Sequence, residues 1–496
     1  MIPREASPSK EVNGTGPEGQ HGRPRLRALA GEWPLALLAA VAAAVYSTYA
    51  LLRHWHFHSD GFDLGIFDQA VWHYSRFEAP ASSIRGVSNL LGDHFHPILV
   101  VLAPFYWLVG RPAVLLVAQG VLLGLAVVPI VLFARKRVGA VPAYLIGTGF
   151  SLYWGIQRAV GFDFHEIAFA VPLIAFAVYF ADERRWRLMF ACLALLLLVK
   201  EDLSMFVAFF GIYLLALRQV RYALVAIAAG TGWFLLTTEV IIPALAGPTG
   251  FAYWTFTQFG PGPFSALKYI MLHPTSVLHV LVFPRMKVHT EFRIFYPFLL
   301  LAFASPACIL AVPLILERFL STNSFFWTPD FHYTATIAPV IAMASADGLA
   351  NVTRLLGRER LRHLVRVATA GAIVAVNAIL LFGTPGSPLR DLGDGATYRS
   401  TVFQRTGYAA LTRIPADASV DAQDAIIPHV SERREVYELV PDAPATDYVI
   451  ASPNLPPWPN ASYEVIEGIL RQRVQQGYRT IFDEGGWVVL RRVSPG

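Results

Sequence analysis

The sequence is poor in cysteine and poor in charge. Its 496 residues include two cysteines, Cys192 and Cys308, both inside apolar stretches, so neither a disulfide framework nor a cysteine-ligated zinc site is available. Only 15% of residues are charged. The arginines stand in short clusters between apolar runs and not along one face, which excludes a nucleic-acid surface in spite of the formal net charge of +5. Lysine is scarce beside arginine, a bias that fits genomic base composition better than chemistry. No stretch repeats another, so the sequence gives no sign of the inverted halves of a transporter.

Apolar residues are what the chain has in quantity, at 55%, and runs of membrane-spanning length recur from Trp33 to Phe382. These runs predict a mainly α, polytopic transmembrane helix bundle. Residues 1–30 are polar and aperiodic and read as a disordered cytoplasmic tail. Arg23, Arg25 and Arg27 precede the first run, 33–52, which at roughly 20 residues is long enough to span and reads as an uncleaved signal anchor.

With positive charge placed on the cytoplasmic side, the segments alternate. The first span delivers an external loop, 53–97. Residues 97–109 read as interfacial or re-entrant, and 113–134 returns to Arg135-Lys136-Arg137. The run 141–156 goes out and 167–181 comes back to Arg184, Arg185 and Arg187. Next comes a hairpin, 188–199 and 203–217, with Lys200-Glu201-Asp202 at its tip. Twelve helical residues rise about 18 Å against a hydrocarbon core of roughly 30 Å, so the charged tip lies below the outer surface and needs a wet cavity. Runs at 222–244, 269–283, 294–316, 333–349 and 364–382 bring the total to about eleven crossings. The transmembrane part is then 31–383, and residues 384–496 read as a small extracytoplasmic α/β domain. Strands are expected at 418–422, 447–451, 479–482 and 487–490, a helix at 462–476 and a hairpin turn at 483–486. The protein is thus expected in the cell membrane, multi-pass, with its N-terminus cytoplasmic.

The outer loops collect acids, histidines and aromatics. Asp60, Asp63 and Asp68 lie within Asp-Gly-Phe-Asp-Leu-Gly-Ile-Phe-Asp-Gln-Ala-Val-Trp (60–72). Gly-Asp-His-Phe-His-Pro (92–97), Asp163-Phe-His-Glu166 and Lys200-Glu-Asp202 follow. Acids and histidines from distant loops on one membrane face can form an active site or a metal site. Aspartate is costly among interfacial aromatics, which favours a functional Asp63 over a helix cap or a solvated loop charge. His94, His165 and Glu166 are candidate ligands for a divalent metal, with hydrogen bonding to backbone an equal alternative for the histidines; His94-Phe-His96 is an i, i+2 pair and a weak metal signal. The Lys-Glu-Asp tip can also be an internally neutralised cluster, His332 reads more readily as structural, and the aromatics of 251–264 read as an interfacial belt.

Phe62 to Trp72, His94-Phe-His-Pro97, Asp163-Phe-His165, Lys200-Glu-Asp202 and His332-Tyr333 resemble, in order, the motifs of a bacterial and archaeal family of polytopic predicted membrane proteins of unknown function. The resemblance covers roughly 33–496. That family is similar in plan to the GT-C glycosyltransferases, membrane enzymes that take a sugar from a polyprenyl-phosphate carrier outside the membrane. The resemblance implies a GT-C-like fold, a polyprenyl-phosphate-linked sugar donor and membrane lipid as partners, and an acidic residue of the first external loop as catalytic base. Asp63 stands in that place, with Asp68 or Asp163 supporting it. Inverting transfer needs one carboxylate to take the acceptor proton, and a cation steadies the departing phosphate. Lys200, Arg85 and Arg318 are candidates for that cation, with Glu201 and His332 as further substrate contacts. A transporter or lipid flippase with a buried polar site is the alternative, and a scaffold presenting the C-terminal domain is a third.

Overall fold

A computed structural model of the chain describes residues 32–246, 251–384 and 387–493; the expected tail, 1–30, lies outside them. Among the described residues, four helices are long and apolar enough to cross a bilayer alone: Trp33–Trp55, Ala113–Val138, Val220–Ala246 and Glu359–Gly383. Shorter apolar helices, among them Trp186–Leu196, Leu203–Ala216 and Ile337–Thr353, pack between them. Helix length does not itself establish eleven crossings. Helix Ile337–Thr353 is buried over nearly its whole length and is the centre of the bundle.

Close helix approach follows from small residues. A Cβ on Gly120 would lie 2.3 Å from Ser47 Oγ, and one on Gly124 would lie 2.7 Å from the Ala39 carbonyl, so this Gly-x-x-x-Gly face lets the second long helix press against the first. One end of the bundle is tied by ions. Arg137 bonds Asp182 at 2.5 Å and Asp347 at 2.9 Å, Lys136 bonds Asp182 at 2.6 Å, and Arg135 bonds Glu32 at 2.8 Å. The charge rule assigns these four helix ends to one membrane face, and they meet in one cluster.

The expected segmentation differs between 265 and 316. His273-Pro274 divides the predicted 269–283 crossing into helices Pro263–Leu272 and Pro274–Val282, because proline lacks the donor that continues a helix and disfavours α geometry before it. Lys287, which follows this stretch, donates to the Val280 and Phe319 carbonyls at 2.7 Å and sits 4.2 Å over the Trp327 ring. The predicted 294–316 run is not one helix either. Leu299 and Leu300 adopt left-handed backbone, and short 3-10 turns carry the chain to Ser305, whose hydroxyl donates to Asp347 at the ion-paired end.

After the last long helix comes helix Val402–Leu411, started by a Thr401/Gln404 capping box, and a five-stranded sheet. Its strands are β1 (Val420–Ala422), β2 (Val436–Glu438), β3 (Tyr448–Ala451), β4 (Tyr478–Glu484) and β5 (Trp487–Arg492). The order is β2-β1-β3-β5-β4, with β1 parallel to β2 and β3 and with β5 antiparallel to β3 and β4. Helix Tyr463–Gln475 covers one face, and its Arg473 bonds buried Asp421 on β1 at 2.6 Å. The other side of this unit rests on the first loop: buried Trp487 packs on Phe57 at 4.8 Å.

Candidate functional site

The first loop is shaped by two glycines. Cβ atoms on Gly61 and Gly65 would each come within 2.7 Å of Ile427, which sits in the 3-10 turn Asp424–His429 between β1 and β2. Only glycine lets the loop approach that turn. The Phe62 amide donates to Asp424 Oδ1 at 3.1 Å, so the C-terminal unit fixes the backbone next to Asp63. Asp63 itself has φ +92° with ψ −55°, a sparsely populated conformation that costs on the order of 1–3 kcal/mol and persists where surrounding structure over-determines it. The same strain recurs at Asp163 (φ +79°) and at Phe331 (φ +62°), which precede His165 and His332.

These turns converge. Ligand atoms of Asp63, His165 and His332 all lie within 4.8 Å of one another. The imidazoles of His165 and His332 stack with centroids 3.7 Å apart. Glu166, buried, lies 2.9 Å from His165 Nδ1 through one oxygen and 3.3 Å from Lys200 Nζ through the other. Burial pushes the Asp63 carboxyl up, with His165 opposing, which raises its strength as a base.

The group forms the polar head of a cavity of about 920 Å³. Its other walls are apolar, from Phe206, Phe234, Trp254, Phe259, Ile270 and Leu316 among others. The 251–264 aromatics therefore face a cavity as well as the surface. The cavity expected above the Lys200-Glu201-Asp202 tip is there, and all three side chains line it.

The remaining predicted residues divide between cavity and frame. Arg85 lines the cavity but is held by Asp93 at 3.1 Å and by the Tyr253 hydroxyl at 2.8 Å. Glu201 is paired with His94 at 2.6 Å and accepts from the Phe95 amide at 2.9 Å. His94 stacks on Tyr253 at 3.8 Å and lies apart from His165, whose neighbours at ligand-atom distance are Asp63 and His332; Glu166 lies on the Nδ1 side of His165. Asp68 is not at the cavity. It is fully buried and accepts 2.6 Å hydrogen bonds from Tyr106 and Ser431. Asp163 is also behind the site, accepting from Arg53 at 3.1 Å, Ser59 at 3.0 Å and the Asp60 amide at 2.9 Å. Both aspartates brace the loop that carries Asp63. Arg318 spends its guanidinium on Thr334 and on the Phe326 and Thr328 carbonyls.

The sequence reading missed Glu317, which lines the cavity together with Asp202. An acid closing an apolar run was its signal. It also missed Asp424, which lines the cavity from the C-terminal unit.

The fold and site together define a polytopic helical membrane protein with a buried polar centre at the head of an apolar cavity. The chain belongs to the family described as predicted membrane protein (DUF2079), whose model matches residues 53–489. No protein of curated function matches it. Its fold is similar to that of ArnT from Cupriavidus metallidurans. With the crystal structure bound to undecaprenyl phosphate the TM-score is 0.55 at 13% identity, and with the apo structure it is 0.52 at 14%. Each match covers 94% of this chain and 99% of the other.

Proposed function

We propose that the protein is a membrane glycosyltransferase that moves a sugar from a polyprenyl-phosphate carrier to an acceptor outside the membrane. The observation carrying this reading is the cavity itself: a strained, half-buried carboxylate and a lysine at one end, and mainly apolar walls fit for an isoprenoid chain over the rest. ArnT, a protein of the same fold, binds undecaprenyl phosphate, which supports a polyprenyl-phosphate partner here.

In this reading Asp63 accepts the acceptor's hydroxyl proton as the oxygen attacks the anomeric carbon. The bond from that carbon to the phosphate oxygen breaks, its electron pair leaves with the polyprenyl phosphate, and configuration inverts. The leaving group is already ionised, so it needs a cation more than an acid. Lys200, braced by Glu166, is that cation, with Arg85 as a second positive group along the wall. The site and the sheet unit then lie on the extracytoplasmic face, and the Arg135-Lys136-Arg137 cluster on the cytoplasmic face.

The test is a strain carrying Asp63→Asn at normal protein level. Loss of a cell-envelope glycan is expected. An unchanged glycan with lost uptake of a solute would overturn the reading in favour of transport.

A further inference from the structure

We infer that Asp63, His165 and His332 form a binding site for one divalent transition-metal ion of the zinc class. Three observations carry this. The ligand atoms of these residues already lie within 4.8 Å of one another. His332 is buried, yet its Nδ1 has no hydrogen-bond partner, an arrangement that costs free energy unless something binds there. His165 has its Nδ1 2.9 Å from a Glu166 carboxylate oxygen, which leaves Nε2 as its ligand atom and puts a carboxylate behind a metal-bound histidine.

The surrounding charge favours a cation. Glu166, Asp63 and Glu201 face the region with Lys200 as counter-charge, while Arg85 is neutralised by Asp93. Two imidazoles and a carboxylate suit zinc-class ions; magnesium and calcium prefer oxygen ligands alone. Three protein ligands leave coordination positions for substrate oxygens, the pattern of catalytic and not structural sites. The strained backbone at Asp63, and before His165 and His332 at Asp163 and Phe331, is what holding three ligands from three separate loops requires.

The inference deepens the transferase reading, because it places a Lewis acid at the same centre. Asp63 would both hold the ion and take the acceptor proton, and the ion would supply Lewis acidity toward the acceptor hydroxyl. It does not depend on that reading for its test.

The experiment uses full-length protein in detergent, stripped with chelator and titrated with Co²⁺ as a spectroscopic stand-in for Zn²⁺. One equivalent is expected to bind, with ligand-field bands of a low-coordinate nitrogen–oxygen site. Affinity should fall by at least 100-fold in His332→Ala and in Asp63→Ala, and by about 10–100-fold in Glu166→Gln, which acts through His165. His94→Ala should bind as the parent does. Thermal unfolding of each variant identifies any that fail to fold, and the Asp63 and His332 variants stand in for each other. No saturable uptake by the parent, or undiminished uptake by folded His332→Ala and Asp63→Ala, would overturn the inference, as would loss in His94→Ala alone. The titration holds no sugar donor and reads the metal site alone; metal uptake by protein that transfers no sugar when a donor is supplied would sink only the transferase, and transfer persisting in protein that takes up no cobalt would sink only the metal site.

Discussion

Asp63 and Asp68 are five residues apart and have opposite surroundings. Asp63 faces the cavity beside two histidines; Asp68 is sealed between Tyr106 and Ser431. Asparagine matches Asp63 in shape and so keeps the positive-φ backbone of the loop, while it removes the proton acceptor and the charged oxygen offered to a metal ion. A drop of roughly 10²- to 10⁴-fold in transfer rate is expected, with unfolding temperature unchanged. Asp68→Ala should behave inversely. It strands two buried hydroxyls, at about 1–3 kcal/mol each, so stability should fall while turnover per folded molecule stays near the parent's. Thermal unfolding run beside a transfer assay separates the two, and a stable but inactive Asp68→Ala would return that residue to the reacting set. Sequence alone ranked these aspartates only by the family's plan. All three in the loop look alike as letters, and burial against Ser431, over 360 residues away, is invisible to local pattern.

At the scale of elements, the loop that carries Asp63 is clamped from the C-terminal side. Gly65→Ala would drive a methyl to within 2.7 Å of Ile427 Cγ2, displacing the loop; a misplacement near 1 Å costs about 10²-fold in rate. Ile427→Ala deletes the clashing atom and leaves Cβ at 3.8 Å, so the double variant should regain most activity. Failure of that rescue in protein that still folds would show that the glycine serves some other purpose. Long apolar helices were plain in the sequence because an unbroken apolar run has few other readings. The 265–316 region was not, since prolines and left-handed leucines cut its runs into pieces too short to assign by length. Strand β2 was missed for a related reason: three residues, Val436–Glu438, carry no alternation to read.

In the whole molecule the helical bundle and the sheet unit meet across carboxyls. Burial, reinforced by the charge of Asp163, pushes Asp60 up, and burial, reinforced by Asp60 and Glu438, pushes Asp424 up. Acids raised in the folded state bind more protons there than when unfolded, where carboxylates titrate near 4. Stability contributed at low pH is therefore lost as pH rises through the raised values. The unfolding temperature should be lower at about pH 8 than at about pH 5, and Asp424→Asn, whose oxygen can still accept from Phe62, should flatten that slope. An unchanged slope would mean that the contact between loop and sheet unit carries no such strain. Glu166, Lys200 and Glu201, by contrast, pair off within the site, which is why a charged hairpin tip is compatible with a bundle interior.

The most direct measurement is of what the cavity holds. Protein extracted gently from its own membrane and examined by native mass spectrometry should retain a polyprenyl phosphate or its sugar-bearing form, and Lys200→Ala should lose it. Recovery of ordinary phospholipid alone, equally in both proteins, would contradict the account.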